Sequence, residues 1–284
     1  MSALVQTSCS ETNQRVAIFG SSVNPPTGDL GHRGIILALI STGLFDQILI
    51  NPVYKHMFAE KRGLLSFEHR YRMSELNFLD TGSSSISSTS STSSTSSTSS
   101  TSSTSSTSST RIETTVIVSD VERTCVEGRI HEGESCGTND ILNYLRDKHP
   151  EKQFDLVLGF DGFKDLIAGK WKNWANIIAT THLHVFKRGE EFDPSLYEGI
   201  CVSFYEIQGI EGAQCAKGVS STLIREKITY VYKHGLQNDI LRKLSGEKVP
   251  ELDCHDISVL FDFNHINPKV LNYIFANYLF VPVC

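Results

Sequence analysis

The stretch VAIFGSSVNPPTGDLGHRGIILALI, residues 16–40, decides the fold. It opens as a continuous apolar run, the pattern of a strand covered on both faces of a parallel sheet. The run stops at Gly20, and a loop rich in Ser, Asn, Pro and Gly follows. Over residues 31–41 the apolar positions Ile35, Ile36, Leu39 and Ile40 follow helical spacing. A strand, a tight loop and a helix in this order aim the free N–H groups and positive dipole end of the helix across the strand's end. Gly20 lets a ligand approach the backbone, Ser21 and Ser22 add hydroxyls and amides, and Pro25 and Pro26 stiffen the chain. His32 stands at the helix start, within reach of an anionic oxygen. The same pieces would also build a purely structural turn. The loop is neither a GxGxxG fingerprint nor a GxxxxGK[ST] loop.

Outward from this unit the pattern repeats. Residues 46–53, 114–118, 154–159, 183–187 and 202–207 read as strands, and 139–148, 221–232 and 239–244 as helices. Residues 66–80 read as an amphipathic helix whose inner face would be Phe67, Tyr71, Leu76 and Leu79. Strands alternating with helices predict an α/β fold: a Rossmann-like parallel sheet with helices on both faces, in one domain. Ligands of such sheets bind beyond the carboxyl ends of the strands, where strand order reverses. Residues 83–110 are almost pure Ser and Thr and are expected to form a disordered insertion. Residues 1–14 are read as a flexible start, 15–248 as the domain, and 249–284 as an extension without an assigned role.

The bulk numbers fit a globular chain: 284 residues, 39% hydrophobic and 20% charged. A net charge of -6 argues against a nucleic-acid partner, which usually meets a basic excess. Seven cysteines without a CxxC pair read as reduced thiols. Cys125, His131 and Cys136 do not have a usual zinc spacing, so no metal site is assigned to the protein. No secretory signal or membrane-spanning run is visible. A cytoplasmic or nuclear location is expected, with no membrane partner, and a homo-oligomer is left open.

A second segment, KGVSSTLIREKI at 217–228, has Ser220 or Ser221 to cap a helix and Thr222 at its start. Arg225 lies three residues after Thr222, so both project from nearly the same side. This is a second helix start suited to phosphate, now with a guanidinium fork.

GSSVNPPTGDLGH resembles the nucleotidylyltransferase signature G-[ST]-F-[DN]-P-x-[HT]-x-G-H, and VSSTLIR resembles that superfamily's [IV]-S-S-T-x-[IL]-R motif. Within the superfamily the nicotinamide/nicotinate mononucleotide adenylyltransferases are the most similar. VYKHMFAEKRGLLSFEHRYRM, VSDVE with GTNDILNYL, LVLGFDGFKDLIAGKWKNWANI and VFKRG are similar to their segments, in order, from about residue 15 to 232. The resemblance implies transfer of AMP from ATP to a pyridine mononucleotide by direct attack, with release of pyrophosphate. It implies His32 and Arg225 as catalytic groups. Gly20, Ser21, Ser22, Thr27, His32, Ser221, Thr222 and Arg225 would bind ATP. Lys55, His56, Lys61, Asp161, Trp171 and Arg188 would bind the mononucleotide, with Trp171 under the pyridine ring and Trp174 as suited to core packing as to the ligand. Mg²⁺ would be carried by the substrate phosphates and water rather than by a protein cage.

The chain departs from the family pattern in one conspicuous place. Thr27 stands at the first histidine position, and four residues, GDLG, separate it from His32 where the family has two. Gly28–Asp29 therefore reads as an insertion; alternatively Asp29 takes the first-histidine position. Two other readings are carried: a non-catalytic nucleotide- or NAD-binding relative, and a related transferase such as a pantetheine-phosphate adenylyltransferase. The sequence does not choose between the acid and the amide mononucleotide.

Overall fold

The computed structural model describes residues 14–55, 63–79, 113–129, 136–189, 193–206, 219–247 and 260–282. The 83–110 repeat, His56, Lys61 and His131 lie outside the described residues. Six strands, β1 (Gln14–Ser21), β2 (Gln47–Pro52), β3 (Thr115–Val118), β4 (Lys152–Gly159), β5 (Leu183–Lys187) and β6 (Val202–Glu206), form one sheet. Its order is β3-β2-β1-β4-β5-β6 and every pairing is parallel. The order reverses between β1 and β4, so the crevice for a ligand is expected beyond Ser21 and Gly159.

The apolar run of β1 is continuous because successive side chains feed two cores. Val16 and Ile18 join one cluster, with Phe154, Leu156 and Leu158 of β4. Ala17 and Phe19 join the other, with Ile48 and Ile50 of β2. Helices α1 (His32–Thr42) and α2 (Phe67–Phe78) belong to the second face; α3 (Val121–Arg129), α4 (Thr138–Lys148), α5 (Phe160–Ile167) and α6 (Trp174–Thr180) belong to the first. Helix α1 ends where Gly43 takes a left-handed conformation, φ 62°, and returns its N–H to the Ile40 carbonyl.

The expected inner face of α2 needs correction. Phe67 is buried, but Leu79 is 42% exposed, and Tyr71 and Leu76 are half-buried. The buried stripe is Phe67, Arg70, Met73, Ser74, Asn77 and Phe78. Three polar residues are tolerated there because each is hydrogen-bonded: Arg70 to backbone carbonyls, Ser74 Oγ to the Arg70 carbonyl at 2.8 Å, Asn77 Nδ2 to the Thr27 carbonyl at 3.1 Å.

Helices α7 (Ser221–Lys233), α8 (Gln237–Leu244) and α9 (Pro268–Ala276) close the chain. They share a third apolar cluster with Met73 of α2, including Ile224, Ile228, Ile240, Phe261, Val270 and Phe275. The 260–282 segment thus packs on α2, α7 and α8, with the Asn267 amide also donating to the Leu76 carbonyl at 3.2 Å. Among the described residues no helix is long and apolar enough to cross a membrane.

Candidate active site

The loop after β1 is held from several sides. Asn24 is buried; its Nδ2 donates to the Gly63 carbonyl at 3.0 Å and its Oδ1 accepts from the Leu65 N–H at 3.2 Å. Val23, β-branched, sits at φ 43°, a strained conformation that persists only where neighbours enforce it. Arg70, fully buried, gathers the loop's surroundings: it donates to the carbonyls of Ser22, Val53, Tyr54 and Leu65. No sequence pattern singles out Arg70, because its partners are backbone atoms from three separate segments.

His32 is fixed at both ring nitrogens. The Thr27 N–H donates to Nδ1 at 3.0 Å, so the neutral ring carries its proton on Nε2. Nε2 in turn lies 3.2 Å from Ser21 Oγ. Thr27 Oγ1 accepts from the His32 N–H at 2.7 Å and so satisfies the first N–H of α1, whose N-cap residue, Gly31, has no side chain to do so. Gly31 makes this possible: a Cβ there would lie 2.1 Å from Thr27 Oγ1. Desolvation by the surrounding protein, then the nearby positive charge of Arg188, lower the His32 pKa from 6.5 to about 3. The ring is neutral at physiological pH and offers one N–H. Asp29 does not take the first-histidine position; it pairs with Arg33 one turn on, and Thr27 holds the ring.

The second motif meets this loop directly. Ser220 caps α7, accepting from the Leu223 N–H at 3.1 Å. Ser221 Oγ donates to the Pro25 carbonyl at 2.7 Å, and Arg225 Nη1 donates to the Asn24 carbonyl at 2.6 Å. Arg225 Nη2 also donates to Thr222 Oγ1 at 2.9 Å. The two segments, nearly 200 residues apart, therefore form one polar surface. Arg188, just past β5, borders the same side: its Nη1 donates to the Val219 carbonyl at 2.9 Å, next to the α7 cap.

Beside this surface, at the switch point, lies a cavity of about 380 Å³. Gly20, Ser21 and Ser22 form its border with the loop after β1, and Lys55, Asp161 and Trp171 line it. Its walls include Val53, Ile141 and Leu158, which suits a ring, while Lys170 and Lys172 at its edge are paired with Asp165 and Asp140. Asp161 lies in the first turn of α5, exposed and paired with Lys164 at 2.8 Å. Trp171 packs on the apolar cluster, whereas Trp174 is 41% exposed and rests against Gly169.

Glu122, a cavity residue that sequence reasoning passed over, is buried at the start of α3. Burial raises its pKa from 4.5 to about 7, against the opposing pull of the Tyr54 and Lys55 amides, Arg70 and Asn51. The SDVE segment was legible as a motif; the desolvation of its carboxylate was not.

No protein-family model matches this chain, and no curated protein sequence does. Its architecture is a Rossmann-like α/β fold, a six-stranded parallel sheet covered by helices on both faces. Two solved structures resemble it over nearly their whole length. One is Plasmodium falciparum nicotinic acid mononucleotide adenylyltransferase complexed with APC, with a TM-score of 0.58, 16% identity, and coverage of 94% of this chain and 97% of that one. The other is the same enzyme complexed with NaAD, with a TM-score of 0.59 and the same identity and coverage.

Proposed function

We propose that the protein is an adenylyltransferase that moves AMP from ATP to a pyridine mononucleotide, releasing pyrophosphate. The observation that carries this reading is the junction of the two motifs, Arg225 and Ser221 bonded to the loop that also orients His32. The solved structures of the same fold are described as a nicotinic acid mononucleotide adenylyltransferase, which supports a nicotinate substrate. The triphosphate would lie along the 20–32 loop, with its β- and γ-phosphates against Ser221, Thr222 and Arg225. The mononucleotide would fill the cavity, its ring on Trp171 and its phosphate near Lys55.

An oxygen of the mononucleotide phosphate attacks the α-phosphorus of ATP. A new P–O bond forms as the bond to the β-phosphate oxygen breaks, and pyrophosphate leaves with the electron pair. No protein nucleophile is needed; the site supplies position and charge stabilisation. His32 donates its Nε2 proton as a hydrogen bond to an α-phosphate oxygen; its low pKa keeps the ring neutral, and the Thr27 N–H on Nδ1 keeps the proton on Nε2. Mg²⁺, when present, would neutralise phosphate charge. The loop's donors are hydroxyls, amides and an imidazole, and its carboxylate, Asp29, is engaged by Arg33, so the ion would ride on phosphate and water. This protein is read as acting in NAD synthesis, on small molecules rather than nucleic acid, in the cytoplasm or nucleus.

The test is pyrophosphate release from ATP, Mg²⁺ and each mononucleotide in turn. Turnover is expected with nicotinate mononucleotide, falling about 10²–10³-fold in His32→Ala, the cost of one transition-state donor. Binding without turnover would favour a non-catalytic relative, and turnover confined to pantetheine phosphate would overturn the substrate.

A further inference from the structure

The lengthened Thr27–His32 connection turns back on itself, the Gly31 N–H donating to the Gly28 carbonyl at 2.9 Å, and it is also held from outside. Its backbone is paired with residues from the far end of the chain. The Gly28 N–H donates to the His265 carbonyl at 2.7 Å, and the Leu30 N–H to the Asn264 carbonyl at 3.1 Å. The approach is so close that a Cβ on Gly28 would lie 2.6 Å from the Asn264 carbonyl oxygen. The two inserted residues are therefore accommodated by a backbone clamp.

The clamp has its own keeper. Asp262 Oδ1 accepts from the Asn264 N–H at 2.8 Å, and the Asp262 carbonyl accepts from the His265 N–H at 2.8 Å. This tight turn points both carbonyls at the loop. Phe261 and Ile266, on either side, are buried in the cluster with α7 and α9. From the loop the path continues through Thr27, whose N–H and hydroxyl orient His32, and whose carbonyl is held by Asn77.

We propose that Asp262 is a positioning residue for His32: its side chain shapes the turn that clamps the inserted loop, and so fixes the tautomer and reach of the imidazole. The proposal takes from the functional reading only that His32 meets the substrate phosphate. It makes the 260–282 segment part of the active-site machinery.

The experiment compares Asp262→Ala, Asp262→Asn and Gly28→Ala in the full chain by steady-state kinetics and by the ring ¹⁵N spectrum of His32. The asparagine keeps the Oδ1 acceptor. The wild type should show one neutral tautomer, protonated at Nε2, at pH 7. Asp262→Ala and Gly28→Ala should lower kcat about tenfold with less than a twofold change in the KM for ATP, as a small misplacement of a catalytic group does. Both should mix the His32 tautomers, while Asp262→Asn stays within twofold of wild type. A lower melting temperature with kcat and the His32 spectrum unchanged would overturn the proposal. Since the spectrum needs no turnover, a chain that is catalytically silent but shows the tautomer change would sink the functional reading and keep the clamp.

Discussion

The two ends of the sheet carry similar residues put to opposite uses. Near the amino-terminal ends of the strands, Asp155 of β4 is fully buried beside His184 of β5. Asp155 Oδ2 accepts from Arg15 at 2.5 Å and meets His184 Nε2 at 3.1 Å, its Oδ1 accepts from Gln153 at 3.1 Å, and His184 Nδ1 meets the Tyr205 hydroxyl at 2.9 Å. Asp155, His182 and His184 bring ligand-type atoms within 4.8 Å of one another, but the Arg15 guanidinium already engages the carboxylate. At the carboxyl-terminal ends, Ser21 lines the cavity, Nε2 of His32 meets the Ser21 hydroxyl, and Arg225 is bonded to the loop. The closed network holds four strands together; the open one stands partly in solvent. Residue type alone does not separate them. Burial does: Asp155 and His184 are fully buried, whereas Ser21, His32 and Arg225 are half-buried.

The sharpest way to break this contrast is to remove one charged group from each end. Arg225→Ala takes away the fork that joins the two motifs and would meet phosphate. We expect kcat/KM to fall about 10²–10³-fold with a modest loss of stability, and Arg225→Lys to recover little of it, because a point charge does not replace a fork. Steady-state kinetics decide it; unchanged kcat/KM would show that the open end is structural after all.

Asp155→Ala attacks the closed end. Burial works to raise the Asp155 carboxyl, but hydrogen bonds from His184, Arg15 and Gln153, with the Arg15 charge, outweigh it and hold the group below the usual range. Loss of one partner from such a pair costs roughly 3 kcal/mol. Urea unfolding should show that loss, while kcat per folded molecule stays within twofold. A kinetic defect without a stability defect would place the cluster in the chemistry.

Within the open end, Trp171→Ala separates binding from catalysis. An aromatic platform binds ground state and transition state alike, so the KM for the mononucleotide should rise roughly tenfold with kcat little changed. A fall in kcat at constant KM would instead assign Trp171 to alignment.

The sequence revealed these regions unequally. The strands were legible because both faces of a parallel sheet are covered, leaving apolar runs such as 183–187, which coincides with β5. The helix start at His32 was legible from the apolar spacing that follows it, and the one at Ser221 from the capping serine beside it. What escaped depends on distant pairing. Leu79 reads as core and is 42% exposed, while Arg70, not singled out at all, is buried because backbone carbonyls from other segments supply its partners. The 260–282 segment carried apolar residues but no sign of where they pack, and its bond to the Gly28 backbone uses carbonyls, which any residue owns. The Asp155 network is spread over four strands and has no spacing to read.

Glu122 offers the smallest effect and the cleanest comparison with His32, since burial is the leading cause of both shifts and acts on groups of opposite charge. Burial favours the neutral form of each. The His32 pKa, lowered to about 3, means that the unfolded chain binds a proton below about 6.5 that the folded chain refuses. That contribution to stability is present above 6.5 and is lost as pH falls toward 3. The Glu122 pKa, raised to about 7, works the other way: the folded chain keeps a proton between 4.5 and 7 that the unfolded chain gives up. Its contribution is full below 4.5 and is lost as pH rises to about 7. Glu122→Gln keeps an acceptor for the Lys55 N–H, which lies 3.4 Å from Glu122 Oε1, and removes the ionisation. Urea titrations at pH 5 and pH 8 should then show the variant gaining about 1 kcal/mol on wild type at the higher pH and little at the lower. Parallel stabilities at the two pH values would mean that Glu122 is ionised throughout, and that the cavity beside the loop after β1 is wetter than its apolar walls imply.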